Sequence, residues 1–270
     1  MLTRIKKIKD FTRKLIAEIK KDDIMSAAND LTYSIFFSAF PFALFLISVA
    51  GLLRIDERLL AENILYVMPD IIKGNAEIFI QDMTARSHAN IISVSLLAAV
   101  WSASAGFRTA TRSINKAYGI RDARKFYFRV LISIALVFIF SFIIILCLAL
   151  LIFGANIMRF FPRESYAPLF HMARYIISVI VLFFSVILIN KIALFKNKRT
   201  GLRSLSRGAL FTCAAWVAVS ALFNIYIDNF TNFPAIYGSV GAVIALMLWI
   251  NIICVTLLIG SEINAVLDAS

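Results

Sequence analysis

The feature that most constrains this chain is a set of long apolar runs, several of them 20 residues or more in length. An apolar run of about 20 residues, once helical, matches the thickness of the hydrocarbon core of a bilayer. Hydrophobic residues make up 61% of the 270 positions and charged residues only 16%. A soluble domain of this size needs more polar surface than that. The composition therefore excludes a soluble enzyme, a disulfide scaffold and a disordered protein.

Six of these runs have the length and composition of membrane helices. They lie at about 31–53, 90–107, 130–153, 175–195, 208–227 and 236–259. Because an α-helix rises 1.5 Å per residue, runs of about 18 to 24 residues span about 27 to 36 Å. The sequence predicts an all-α membrane protein: a bundle of six transmembrane helices over residues 26–270, preceded by a cytoplasmic segment at 1–25.

The distribution of Lys and Arg predicts the orientation of this bundle. Residues 1–30, 108–129 and 191–207 together carry 21 of the 28 basic residues, and two of the three predicted outer loops, 54–89 and 154–174, carry the other 7. Cytoplasmic segments of membrane proteins are enriched in Lys and Arg, so both termini are expected in the cytoplasm. The net charge of +12 is thus mostly a topology signal, and no nucleic-acid partner is expected.

Two segments outside the predicted spans have amphipathic patterns. In the first, apolar residues recur every three or four positions among eight cations: Leu2, Ile5, Ile8, Phe11, Leu15 and Ile19. This pattern favours a basic helix on the inner leaflet, where anionic headgroups attract each cation by about 1 kcal/mol. A solvated basic arm that only enforces topology is the alternative. The first outer loop, 54–89, is predicted to form two further amphipathic helices.

Several residues inside the predicted spans indicate how the helices bend and pack. Pro41, in the middle of the first span, is a candidate hinge, with a static bend as the alternative. Small residues at helical spacing favour close approach of helices in lipid. The candidate packing residues are Ala98, Ser102 and Gly106 in the second span, and Gly238, Gly241 and Ala245 in the sixth. The polar residues Asn224 and Asn251 are expected to form hydrogen bonds between helices.

Charged and amide side chains gather at the predicted cytoplasmic ends of the spans. The candidate polar cluster consists of Asp30, Arg108, Arg112, Asn115, Lys191, Glu262 and Asn264. Within it, Glu262 or Asp30 is expected to pair with Arg108, Arg112 or Lys191, since charges near an apolar boundary need partners. The alternative is a set of ordinary interfacial charges that extend to water.

Residues that carry enzymatic or metal chemistry are scarce. All three cysteines (Cys147, Cys213 and Cys254) lie within apolar runs and are expected to be unpaired packing residues. The two histidines, His88 and His171, lie in separate loops without ligands at metal-binding spacing. The chain contains no nucleophile elbow, zinc-protease motif, P-loop or dinucleotide fingerprint. No catalytic residue, metal or cofactor is therefore expected.

The order and spacing of several short motifs resemble the YihY/BrkB family of bacterial inner-membrane proteins, some once labelled ribonuclease BN. The matching motifs are AANDLTY at 27–33, SAFP at 38–41, WSAS at 101–104, SINKAYGI at 113–120, GAL at 208–210, YGSVGA at 237–242 and GSEINA at 260–265. One departure is at the end of the fourth span, where family members often have Tyr and Pro and this chain has Asn190-Lys191-Ile192. The resemblance implies a six-helix protein of the bacterial plasma membrane that serves transport or the cell envelope.

The sequence is compatible with three functions. A transporter of lipids or anionic solutes is favoured by the proline in the first span, the small-residue seams and the cytoplasmic cations, since guanidinium groups bind phosphate bidentately. Membrane lipids with anionic headgroups are the expected partners, and a homo-oligomer is compatible with the sequence. The first alternative is a non-transporting scaffold for envelope assembly. The other, a membrane-bound ribonuclease, is disfavoured because Asp122 is the only acid in 108–129 and 191–207 has none.

Overall fold

The protein is entirely helical over the residues described by the computed structural model, which are 2–52, 89–120, 124–158, 167–194, 201–229 and 233–269. This part of the chain forms seven helices. They are α1 (Leu2–Lys21), α2 (Ile24–Leu52), α3 (Ala89–Ala117), α4 (Phe126–Met158), α5 (Ala167–Ala193), α6 (Leu202–Asn229) and α7 (Phe233–Asp268). The predicted all-α class is confirmed.

Four of the helices contain apolar windows that are long enough to cross a bilayer. These windows are Phe126–Ile143 in α4, Ile176–Ala193 in α5, Leu202–Tyr226 in α6 and Val243–Asp268 in α7. Large apolar side chains such as Phe142, Phe184 and Leu222 are exposed on the outside of the bundle, as expected for surfaces that face lipid. The protein is therefore a multi-pass membrane protein. The count of six spans and the orientation stay predictions.

Helices α2 to α7 pack as a bundle in which consecutive helices run in opposite directions. α2 packs against α3 and α7, α6 packs between α5 and α7, α3 also contacts α4 and α5, and α1 lies against α7. The amide of Asn251 on α7 donates to Asn29 Oδ1 (2.8 Å) and Thr32 Oγ1 (3.2 Å) of α2. This contact confirms the expected interhelical hydrogen bond of Asn251. Asn224, by contrast, is exposed on α6.

One end of the bundle collects the starts of α2, α4 and α6 and the ends of α3, α5 and α7, and we call it the charged end. Arg124, just before α4, donates to main-chain carbonyls of Ile192 and Ala193 at the end of α5. A hydrogen bond from the Gly208 N–H to Asn264 Oδ1 joins the start of α6 to the end of α7. Residues far apart in sequence therefore meet at this end.

The closest helix crossing is between α6 and α7 and depends on two glycines. A Cβ atom at Gly208 would lie 1.9 Å from the carbonyl oxygen of Gly260, and one at Gly260 would lie 2.1 Å from Thr212 Oγ1. Only a residue without a Cβ atom allows backbones to approach this closely. Trp216 Nε1 donates to the Ile253 carbonyl (3.0 Å) further along the same seam. The packing residues predicted from sequence lie in the second and sixth spans and do not include Gly208 or Gly260.

The predicted packing residues are distributed between contacts and surface. Gly106 is buried against Ile35 of α2, and Ser102 Oγ donates to the Phe37 carbonyl (3.4 Å). Ala98, one turn before Ser102, is exposed and lies outside this α2–α3 contact. On α7, Gly241 and Ala245 are buried. The surroundings of Gly238 lie outside the described residues.

The remaining predictions about local structure have different outcomes. Residues 2–21 form one helix, as the periodicity predicts, and its apolar side chains Phe11, Leu15 and Ile19 are half-buried. Its placement on the inner leaflet stays a prediction. Pro41 lies within the continuous helix α2, but its side chain is outside the described part, so the hinge stays a prediction. The predicted helices of the first outer loop also lie outside the described residues, since 53–88 are not among them.

Candidate functional site

A cavity of about 90 Å³ opens at the charged end, between the end of α3 and the start of α4. Half of its eight lining residues are arginines. The lining consists of Arg108, Thr111, Arg112, Arg124, Phe126, Arg129, Ile132 and Ser133. We call it the arginine cavity, because it brings four positive charges together in a defined space.

The helical repeat explains why these side chains share one space. Residues three and four apart lie on the same face of an α-helix. Both walls use this spacing, with Arg108, Thr111 and Arg112 on α3 and Arg129, Ile132 and Ser133 on α4. Because α3 and α4 pack against each other, the two faces enclose the cavity from opposite sides.

The guanidinium of Arg108 is held in place by its own helix. Its Nη1 donates to Ser104 Oγ (2.5 Å), and its Cζ lies 5.6 Å from the centroid of the Trp101 ring, a cation–π contact. Burial and the like charge of Arg112 lower the pKa of Arg108. No carboxylate of the described residues forms an ion pair with Arg108, Arg112 or Arg129. The charges of these three arginines are therefore not neutralised by the described carboxylates.

Two other polar side chains support the cavity walls. Arg124 donates from Nη1 to the Ile192 carbonyl (3.3 Å) and from Nη2 to the Ala193 carbonyl (3.2 Å). These bonds satisfy carbonyls at the end of α5, where a cation also interacts favourably with the negative end of the helix dipole. Asn115 is buried and donates from Nδ2 to the carbonyl of Thr111, a lining residue (2.9 Å). Arg124 thus ties the cavity to the end of α5, and Asn115 binds the main chain of its α3 wall.

The chemistry available in the cavity is that of an anion site. Guanidinium groups present paired N–H donors that match the oxygens of a phosphate or carboxylate. The Thr111 and Ser133 hydroxyl groups add neutral hydrogen-bonding capacity. The lining contains neither a carboxylate nor an imidazole that could act as a general base. The arrangement is suited to binding an oxyanion.

The second polar group of the charged end lies on α7, with its side chains buried between helices. Asn264 Oδ1 accepts from the Gly208 N–H (2.7 Å), and its Nδ2 donates to the Leu205 carbonyl (3.1 Å). Ser261 Oγ donates to Asn190 Oδ1 of α5 (2.9 Å). These bonds fasten the end of α7 to α6 and α5.

Glu262 is the exceptional member of this second group. Its side chain is fully buried, and neither carboxylate oxygen has a hydrogen-bond partner among the described residues. The charged groups that act on it are Asp22, Glu18 and Lys21, all from α1 or the turn after it. Tyr118, just after α3, also has a buried hydroxyl without a described partner, and burial raises the pKa of its phenol.

The predicted polar cluster is thus two separate groups. Arg108 and Arg112 line the arginine cavity, and Asn115 follows them on the same face of α3, whereas Glu262 and Asn264 belong to the α7 contacts. Asp30 and Lys191 are exposed. Among the described residues, the expected ion pair of Glu262 or Asp30 with Arg108 or Arg112 is not formed. A pairing with Lys191, the other partner in that expectation, stays a prediction.

Some members of these groups were not selected as site residues from sequence. Arg124 and Arg129 belong to the basic segment 108–129 but are not members of the candidate cluster predicted from sequence. The signal that could have included Arg129 is the repeated three–four spacing on α4, which mirrors that on α3. Asp22 and Tyr118 gave no such signal, because their relation to Glu262 depends on how α1 and the end of α3 meet α7.

Comparison with known proteins connects this arrangement to a family. The family model described as "Virulence factor BrkB" matches residues 15–270. A ribonuclease-like protein of Bacillus subtilis (strain 168), YfkH, is 30% identical over 266 residues, which cover 95% of this chain and 94% of the relative. A UPF0761 membrane protein of Pseudoalteromonas translucida (strain TAC 125) is 30% identical over 69 residues, 26% of this chain and 23% of the relative. No solved structure matches the chain.

Proposed function

The chain belongs to the virulence factor BrkB family, and from that premise we propose that it transports lipids or solutes that carry anionic phosphate groups. The proposal places the protein in the bacterial plasma membrane with six spans. The four apolar helices and the name of the relative from Pseudoalteromonas translucida support a membrane location. The helices α2 and α3 would supply the other two spans.

The orientation in this proposal follows from the charge distribution. The segments that meet at the charged end are the ones rich in Lys and Arg. Since such segments remain in the cytoplasm, the arginine cavity would open toward the cytoplasmic face. There it would meet anionic headgroups of the inner leaflet, which surface cations attract.

The single observation that carries the proposal is the uncompensated arginine cavity. Arg108, Arg112 and Arg129 meet in one cavity without an ion-pair partner among the described carboxylates. Keeping several like charges together is unfavourable unless an anion is present to offset their repulsion. A phosphate headgroup satisfies both the charge and the paired donors. A scaffold function would not need such a cavity.

The name of the relative from Bacillus subtilis refers to ribonuclease chemistry, which the cavity supports less well. Hydrolysis of RNA requires a positioned acid and base or a carboxylate-bound metal. The cavity lining has cations and hydroxyl groups only, apart from its apolar side chains. We therefore favour binding and movement of an anion over cleavage.

A transport assay with purified protein in liposomes tests the proposal. Movement of a labelled anionic phospholipid between leaflets is expected with the protein and not in protein-free liposomes. The double substitution Arg112→Gln and Arg129→Gln should slow it by about tenfold or more, because each charge-assisted hydrogen bond contributes about 1.5–3 kcal/mol.

The matched control is Arg203→Gln, which removes an exposed arginine at the start of α6 that does not line the cavity. This variant should retain the rate of the original protein. Equal rates in all three proteins would remove the cavity from the mechanism. Rates no higher than those of empty liposomes, for anionic lipids and phosphate-bearing solutes alike, would contradict transport itself.

A further inference from the structure

Three buried polar atoms without partners lie in one region, where α1 and the residues after α3 meet α7. They are the Tyr118 hydroxyl oxygen and both carboxylate oxygens of Glu262, the complete set of such side-chain atoms in the described chain. Glu262 is 0% exposed, and its charge acts on Tyr118, which relates the two groups. Buried polar atoms almost always have a hydrogen-bond partner, so several without one in the same region require a specific cause.

The charges that face Glu262 from α1 are mostly negative. Asp22 is itself buried, and of the charged groups it acts most strongly on Glu262; Glu18 adds a second negative charge. Lys21 is the one opposing cation on α1 that acts on Glu262. Its Nζ binds Glu18 Oε2 (2.6 Å), and its side chain is 69% exposed. Glu262 therefore gains little neutralisation from α1.

The other elements that pack on α7 do not supply a cation to Glu262 either. In the last turn of α3, Lys116 donates from Nζ to the main-chain carbonyl of Asp22, not to a carboxylate. On α6, Arg207 lies near Asp268 instead, with Nη2 and Oδ1 3.8 Å apart. On the neighbouring helices α2 and α5, the charged residues whose side chains are described, Asp30 and Lys191, are exposed. The buried carboxyl groups of Asp22 and Glu262 thus interact with each other, and no cation of the described residues is paired with Glu262.

We propose that Asp22 and Glu262 share one exchangeable proton, which fastens the end of α1 to α7. Two buried carboxylates near each other repel strongly, and a single proton held between them removes one charge and adds a donor for an orphaned oxygen. The proton site goes beyond the transport function proposed above and does not depend on it. The charge of Glu262 also acts on Tyr118, whose buried hydroxyl could serve as a further donor.

The shared proton has a structural consequence for α1. Asp22 lies at the turn between α1 and α2, where Asp23 has a left-handed backbone conformation (φ 50°) that holds the turn in a fixed form. While the proton is bound, the turn is docked against α7. When it leaves, two like charges remain in contact, and the end of α1 should separate from the bundle. Docking is therefore present at acid and neutral pH and is lost as the pH rises through the release of the proton.

Infrared spectroscopy of the purified full chain in lipid tests for the proton directly. At neutral pH, the carbonyl stretch of a protonated carboxylic acid should be present and should disappear as the solution becomes alkaline. Glu262→Gln should remove this band, and Asp22→Asn should shift or remove it. The matched control Asp30→Asn, which alters an exposed carboxylate, should leave it unchanged.

Hydrogen exchange of α1 gives the second readout and covers the case in which one variant folds poorly. At alkaline pH, after the proton has left, the backbone amides at the end of α1 should exchange faster in the original protein than the pH dependence of intrinsic exchange rates explains. The variants Glu262→Gln and Asp22→Asn should not show this additional exchange. The absence of a protonated-acid band at neutral pH would overturn the proposal. A band and an alkaline loosening of α1 that are the same in all the variants would also overturn it. Neither readout involves transport, so failure here is distinct from failure of the transport assay.

Discussion

Replacing Gly208 with alanine is expected to disrupt the pairing of α6 with α7. The new Cβ atom would lie 1.9 Å from the Gly260 carbonyl oxygen and 2.6 Å from Asn264 Nδ2. The first of these is a backbone atom that cannot rotate away, so the helices must separate. Overpacking of this kind costs about 1–3 kcal/mol and occasionally more, and a backbone clash belongs at the upper end. Thermal unfolding in detergent should therefore show a large loss of stability.

The matched control is Gly106→Ala in the α2–α3 contact. There the nearest atom to a new Cβ would be Ile35 Cγ1 at 3.8 Å, an ordinary van der Waals distance. Alanine also has the better helix propensity, so Gly106→Ala should be neutral or slightly stabilising. Equal losses of stability in the two variants would show that the close α6–α7 crossing is not the cause. An unchanged unfolding temperature of Gly208→Ala would lead to the same conclusion.

Asn264→Leu is the substitution with the second largest expected effect on stability. The amide of Asn264 is fully buried and joins the two helices by accepting from the Gly208 N–H and donating to the Leu205 carbonyl. Leucine has a similar size but can make neither bond. Loss of a buried hydrogen-bonding partner costs about 1–3 kcal/mol. A lower unfolding temperature in detergent, with the helical content retained before unfolding, is the expected result.

Asn224→Leu serves as the control for this prediction. Asn224 lies on α6 as well, but its side chain is exposed and makes no hydrogen bond to the described residues. An apolar residue on a surface that faces lipid should be neutral or stabilising. If Asn264→Leu were as stable as Asn224→Leu, the amide bridge would contribute nothing to the pairing of α6 with α7.

The parts of the fold that could be predicted from sequence are those encoded by neighbouring residues. Apolar runs specify helices because every backbone group in lipid must be satisfied within the segment. The helical periodicity of residues 1–19 likewise predicted the amphipathic α1. The clustering of Lys and Arg predicted which helix ends would be polar. These signals are local, so they need no knowledge of which helices touch.

The features that sequence analysis missed depend on contacts between distant segments. Gly208 and Gly260 are single small residues in different helices, and only the crossing geometry gives them their role. The same holds for Glu262, whose buried neighbours come from α1 and from the residues after α3. Opposite charges in the predicted cluster suggested a pairing, but helix packing directs Arg108 and Arg112 of α3 to a cavity shared with α4, whereas Glu262 of α7 is acted on by charges from α1 and the turn after it.

Lipid binding by the purified protein tests the central claim that the arginine cavity holds an anionic phosphate headgroup. The measurement is native mass spectrometry of the number of phosphatidylglycerol and phosphatidylcholine molecules retained from an equal mixture. The original protein and Arg203→Gln should retain phosphatidylglycerol preferentially. Arg112→Gln with Arg129→Gln should lose that preference. The same preference for phosphatidylglycerol in all three proteins, or none in the original protein, would contradict the claim.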